Sequence, residues 1–282
     1  FVENGGRNML VNLNDVLRPA RAGKYGVGLF NAVNLEMAKG VLQAAEENQC
    51  PVIIGTAEVL LNTATLEETA DMLLPMAKRA SVPVVLHFDH GLTHDLCVKA
   101  LELGFTSVMY DCSTDTYENN LKKVKEMADI AHGYGATLEA ELGHVGEAAG
   151  HDPSAFYTDP AQALEFVQHT GCDALAIAVG TAHGAYKFPP KLDFARIETI
   201  AAQMDTPLVL HGGSGLTDED FRHAIASGIS KINIFTDINV AYAEGAKKAL
   251  AAGAVSATDM FPYLVAAVKE ATDKKMKLFS MK

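Results

Sequence analysis

His87, Asp89 and His90 fall within four positions at the end of the apolar run PVVLHFDHG. Further along, Glu139 and Glu141 lie in TLEAELG, His183 in GTAHGAY, His211 in PLVLHGG, and Asn233, Thr236 and Asp237 in KINIFTD. Side chains of these types hold cations or move protons. One histidine on an apolar strand is more often a core residue than a ligand. Three of them, each closing a different apolar run, are hard to attribute to packing. Three neutral imidazoles from separate loops, with no thiolate among them, make a nitrogen-rich set with an open position, as a catalytic Zn2+ requires. His90, His183 and His211 are therefore the expected ligands. The two-residue period of a strand puts His87 and Asp89 on one face and Phe88 and His90 on the other. The strand is accordingly expected to end at His90, with Gly91 supplying the turn, and His87 to lie deeper, in the core or behind the ligands. His94 and His223 stand in helical sequence, His132 and His169 near helix ends, and His144 and His151 in a glycine-rich loop, where solvent or capping roles are expected.

Eight short β-branched runs must position these groups: 25–33, 51–57, 83–89, 106–112, 137–143, 173–180, 207–213 and 231–237. Segments of helical periodicity separate them, several preceded by an Asn, Thr or Asp able to cap a first turn. Repeated β-then-α units with apolar strands imply a parallel sheet covered by helices. Eight units, without a G-x-G-x-x-G after the first strand, favour a single closed α/β (β/α)8 barrel over a doubly wound sheet. A further C-terminal helix carries an apolar face of Phe261, Leu264, Val265 and Val268, to be buried on the barrel's own helices or on a neighbouring subunit. Barrel chemistry sits at the C-terminal strand ends, and phosphate sites commonly follow strands seven and eight. LHGGSGLTDED occupies the first of those positions, with Gly212, Gly213 and Ser214 before a helix beginning near Asp218; NIFTD occupies the second. A phosphorylated ligand beside a metal is the result.

A chain of 282 residues, 49% hydrophobic, can bury a barrel-sized core. Residues 9–282 read as one domain, and 1–8, ahead of Met9, as an added leader. The formal charge of -12 and the lack of a long basic run argue against nucleic acid as a partner. Four scattered cysteines with no C-x-x-C pair favour thiols in a reducing compartment, so a cytoplasmic location is expected. No apolar run reaches the roughly 18 to 20 residues of a membrane span, and no membrane partner is expected.

FNAVNLE, HFDHG, EAELG, AFYTDP, GTAHGAY, LVLHGGSG and KINIFTD together resemble the class II, metal-dependent ketose-bisphosphate aldolases, which include the fructose- and tagatose-bisphosphate enzymes. The resemblance runs from about Val11 to about Leu278. It implies a (β/α)8 barrel, reversible aldol cleavage of a ketose phosphate to dihydroxyacetone phosphate and an aldehyde, and a small-molecule sugar phosphate as partner. It implies His90, His183 and His211 as ligands of one Zn2+ per chain, with a monovalent cation as a further expected cofactor. Asp89 becomes the acid/base group and Glu141 an alternative ligand or a group behind the ligands. Gly184, Gly212, Gly213, Ser214, Asn233 and Thr236 match positions that hold the ketose phosphate. A homo-oligomer, dimer or tetramer, is also implied.

Three departures bear on the substrate. The loop HVGEAAGHDP is short and offers Glu147 where the family places its mobile base. Phe235 and Ala57 stand where polar side chains are usual. The final residues KLFSMK lack an arginine that helps hold a second phosphate in related enzymes, so an unphosphorylated aldehyde partner is expected. A ketose-1,6-bisphosphate aldolase proper is the alternative. A metal-dependent barrel hydrolase would want a His-x-His on the first strand, which GLFNAV lacks. A barrel that binds a phosphosugar without turnover would have no need of Asp89 and an open metal position. A Schiff-base mechanism would need a strand lysine at the mouth, whereas Lys231 is expected at the start of the eighth strand, the wrong end.

Overall fold

The computed structural model describes residues 9–145, 157–182 and 190–281. The strands are β1 (Leu10–Val11), β2 (Val27–Asn31), β3 (Val52–Ala57), β4 (Val84–Gly91), β5 (Ser107–Tyr110), β6 (Thr137–Leu142), β7 (Ala174–Ile177), β8 (Leu208–Leu210) and β9 (Ile229–Ile234). The helices are α1 (Leu13–Gly23), α2 (Leu35–Asn48), α3 (Leu66–Arg79), α4 (His94–Glu102), α5 (Tyr117–Gly133), α6 (Pro160–Thr170), α7 (Phe194–Gln203), α8 (Asp218–Ser227), α9 (Thr236–Ala251) and α10 (Ala257–Phe279). Every strand from β2 to β9 pairs in parallel with its neighbours, β9 returning to β2, so the eight expected strands close into a barrel. The short β1 was not among the expected runs; it pairs Leu10 with Val84 and Val11 with Val85, below the point where β5 joins β4 at His87.

Side-chain alternation divides the barrel into two cores. Phe30, Ile54, Leu86, Phe88, Val108, Leu138 and Ile232 point outward and pack with the apolar faces of the surrounding helices. Val27, Leu29, Ile53, Val85, Ala174, Ala176 and Val209 point inward and meet Leu13, Val16, Leu17 and Ala20 of α1, which plugs the floor. Full burial of each Val, Leu or Ile side chain stabilises the fold by about 1.5–3 kcal/mol. Asn12 fixes where α1 begins, through a reciprocal capping box with Asp15. Above the apolar floor the inward positions turn polar, with His87, Glu139 and Lys231 in one layer and Asn31, Asp89, Glu141, His211 and Asn233 toward the mouth.

The face of α10 expected to need a partner finds one within the chain. Leu264, Val265 and Val268 are buried, Phe261 is half-buried, and α10 lies along α2 and α9. Gly40 of α2 permits the approach, since a Cβ there would stand 2.8 Å from Val268. At its far end Phe279 packs on Phe221, with centroids 5.2 Å apart, and its carbonyl accepts from Gly26 N–H at 2.9 Å, at the foot of β2. Among the described residues, no helix is long and apolar enough to cross a membrane.

Candidate active site

His90 reaches the mouth by a route that the strand period does not predict. β4 does not end at His90: it continues to Gly91, with an irregular register between Phe88 and Gly91. His90 itself takes the left-handed conformation, φ 44°. That residue, rather than a turn at Gly91, rotates the ring to the face that already carries Asp89. Its Nδ1 lies 2.9 Å from Asp111 Oδ2, just beyond β5, and its ring stands edge-on to His211 at 4.5 Å. Burial opposes a charge on His90, but Asp89 and the Asp111 hydrogen bond outweigh it and raise the imidazole to about 9. A cation at this ring must therefore displace a proton.

Asp89 is gripped at both oxygens. Asn31 Nδ2 donates to Oδ2 at 2.8 Å and Asn233 Nδ2 to Oδ1 at 3.0 Å. Burial works against its charge, yet His90, Lys231 and His211 hold the carboxyl well below the usual range, so Asp89 is a carboxylate. His211, buried at the end of β8, sets Nε2 2.9 Å from Glu139 Oε1, while its Nδ1 stands 3.6 Å from Glu141 Oε2. Glu141 accepts from Val145 N–H through Oε1 at 2.9 Å, and its buried Oε2 has no hydrogen-bond donor among the described residues. Burial, then Asp111, pushes this carboxyl up to about 8. Candidate ligand atoms of Asp89, His90 and His211 all lie within 4.8 Å of one another, as do those of His90, Asp111 and Glu141. Two imidazoles, carboxylates and an orphaned buried oxygen form a donor set that fits a divalent cation.

His183, Gly184 and Glu147 lie outside the described residues. His87 is fully buried behind the site, with Nδ1 2.8 Å from Ser107 Oγ; burial and Lys231 lower it to about 3, so it is neutral. Lys231 corrects an expectation. It is in the interior of β9 rather than at its start, and its ammonium is enclosed by Glu139 Oε2 at 2.7 Å and Asn233 Oδ1 at 2.7 Å. Asn31 and Asp111 were missed as site residues. The available signal was a polar residue closing an apolar strand, in GLFNAV and SVMYDC.

A cleft of about 390 Å3 opens over these groups, lined by Asn31, Asp89, His90, Asp111, Asn233 and Thr236, and by Gly212, Gly213 and Ser214 after β8. Gly212 has φ 65° and lies so close to the Ala182 carbonyl that no Cβ would fit. The helix after this loop is not an open anion site, because Thr217 caps α8 in a box with Asp220 and its first turn holds three acids, Asp218, Glu219 and Asp220. The start of α9 is different. Its N-cap, Phe235, offers no side-chain hydrogen bond, and Thr236 faces the cleft. The other wall is apolar, with Ala57, Val59, Leu60 and Leu92, and among the described residues no lysine or arginine lines the cleft.

Comparison with known proteins gives the family. The chain matches the family described as Fructose-bisphosphate aldolase class-II over residues 11–282. It is 38% identical to a fructose-bisphosphate aldolase of Thermus caldophilus over 301 aligned positions, covering 96% of this chain and 98% of that one. A fructose-bisphosphate aldolase of Geobacillus stearothermophilus is 39% identical, with 86% of each chain covered. The crystal structure of the YdjI aldolase of Escherichia coli K12 superposes with a TM-score of 0.86 at 37% identity, covering 96% of this chain and 97% of that one. The chain thus belongs to the class II fructose-bisphosphate aldolase family and is, by that membership, an aldolase.

Proposed function

We propose that the protein cleaves a ketose phosphate reversibly to dihydroxyacetone phosphate and an aldehyde. The observation that carries the assignment is Asp89, a buried carboxylate fixed at both oxygens by Asn31 and Asn233, beside His90 and His211 at the floor of the cleft. Cleavage requires a base for the hydroxyl whose carbon becomes the aldehyde, and Asp89 is ionised, oriented and open to the cleft. The two amides hold the carboxylate at one angle, so its remaining lone pairs face the substrate. Zn2+ held by His90, His183 and His211, with Glu141 as an alternative ligand, would supply a Lewis-acid charge at the ketose carbonyl. Glu147 is the proposed carrier of the proton at the dihydroxyacetone phosphate carbon. The phosphate lies on the backbone of Gly212 to Ser214 and the uncapped start of α9, near Thr236, with Gly184 completing the cradle. Asn233 serves the substrate through Asp89.

The wall of Ala57, Val59, Leu60 and Leu92 supports an aldehyde half without its own phosphate, because about two negative charges there would call for cationic donors. The test is a retro-aldol screen of ketose 1-phosphates against their 1,6-bisphosphates, detecting released dihydroxyacetone phosphate. A higher kcat/KM for the monophosphate is expected. A bisphosphate preference above about tenfold, roughly 1.4 kcal/mol in the transition state, would overturn it in favour of a bisphosphate aldolase proper.

A further inference from the structure

We infer that Lys231 is the positioning residue of this site: it sets which end of the Asn233 amide faces Asp89 and, through Glu139, which nitrogen of His211 faces the cation. The inference rests on the reading of Asp89 as base and His211 as ligand. An ammonium group only donates: Lys231 Nζ donates to Glu139 Oε1 (3.0 Å) and Asn233 Oδ1 (2.7 Å), and stands in an ion pair 2.7 Å from Glu139 Oε2. The atom of Asn233 that faces Nζ must therefore be its carbonyl oxygen. Its Nδ2 is then turned outward and donates to Asp89 Oδ1 at 3.0 Å. With the amide reversed, a carbonyl oxygen would face the carboxylate and an N–H would face the ammonium, two repulsive contacts in a buried setting.

The second arm runs through Glu139. Its ionised oxygens only accept, so His211 Nε2, 2.9 Å from Oε1, must carry the ring proton. The proton on Nε2 leaves the lone pair on Nδ1, 3.6 Å from Glu141 Oε2, as the one that would hold the cation. Asn233 Nδ2 also lies 3.4 Å from His211 Nε2, a contact that would favour the opposite tautomer. The shorter contact to a charged acceptor decides against it. Lys231 supplies the counter-charge that keeps the Glu139 carboxylate in place inside the barrel, where both side chains are fully buried. One side chain thereby orients a group on the base and a group on the metal ligand.

The experiment uses the full chain with Lys231→Met. Zn2+ affinity, measured by competition with a chromogenic chelator, should fall about 10- to 100-fold, with a comparable loss in kcat at saturating Zn2+. In an Asn233→Ala background, the further kcat loss caused by Lys231→Met at saturating Zn2+ should shrink to within about threefold, as coupled residues require. Unchanged Zn2+ affinity and kcat in Lys231→Met, or kcat losses that multiply in full, would overturn the inference. Should Lys231→Met fail to fold, the native protein still decides: in the Zn2+-loaded protein the 15N shifts of His211 should report a proton on Nε2 and the cation on Nδ1, and the reverse assignment would overturn the inference. Zn2+ binding and the tautomer are read without substrate. A protein inactive on every sugar phosphate tried would sink the functional reading and leave this one standing.

Discussion

Asp89 and His211 lie close together but carry different work, and substitution separates them. Asp89→Ala removes a positioned base while leaving the imidazoles, so metal content should stay near normal while turnover falls at least about a hundredfold. His211→Ala should lose the metal instead, as measured by elemental analysis of the purified variant; the reverse pattern would exchange the two roles. His87 makes a separate prediction about acid. Burial, then Lys231, holds its folded value at about 3, below the ordinary value of 6.5. The unfolded chain therefore binds a proton that the folded chain refuses between those values. The contribution is present in full above about pH 6.5 and is lost as pH falls toward the folded value. In the metal-free protein, His87→Gln should flatten the fall of the urea midpoint over that window; an unaltered fall would assign it to other groups. His90, His211 and Asp89 stood out in the sequence because charged and imidazole side chains are conspicuous at the ends of apolar runs. Lys231 was not, because its partner Glu139 is 92 positions away and only closure of the barrel brings the two together.

At the level of elements, the two helix starts beside the cleft behave oppositely. Thr217→Ala removes the cap of α8 and should cost about 1 kcal/mol of stability, read by urea denaturation, without changing KM for the ketose phosphate. A raised KM would place the phosphate at α8 rather than at α9. The sequence pattern LHGGSGLTDED suggested the helix near Asp218 as the cradle, since a glycine loop before a helix is a general anion motif. The acids of that first turn were plain in the sequence; what it concealed was that Thr217 and Asp220 close a capping box over the helix start. β4 carried a similar ambiguity. A strict two-residue period ends the strand at His90, whereas the left-handed residue lets pairing continue to Gly91 while the ring changes face.

For the molecule as a whole, the eight-fold alternation was readable because each strand is apolar on both faces where it meets floor and helices. The partner of α10 was not readable, since an apolar stripe records that a helix is buried and not against what. The answer, α2 and α9 of the same chain, can be tested at Gly40. Gly40→Val would drive a side chain into Val268 and toward the backbone N of Lys269, 2.9 Å from where the new Cβ would stand, and part the two helices. It should lower stability by about 1–3 kcal/mol, seen as a fall in Tm, with metal content unaltered. An unchanged Tm would mean that α10 is not held against α2 in solution.

The hydrogen bond from Gly26 to the Phe279 carbonyl joins the foot of the barrel's first strand to the end of α10. Its consequence concerns synthesis. The strand that β9 must pair with to shut the barrel emerges from the ribosome some two hundred residues before β9 does, and α10, which shields its outer face, emerges later still. At elongation rates of about 5–20 residues per second, β2 waits on the order of ten seconds or more without its closing partner. Contacts between such distant stretches make closure a slow event, and the half-built sheet is the species a chaperone would meet.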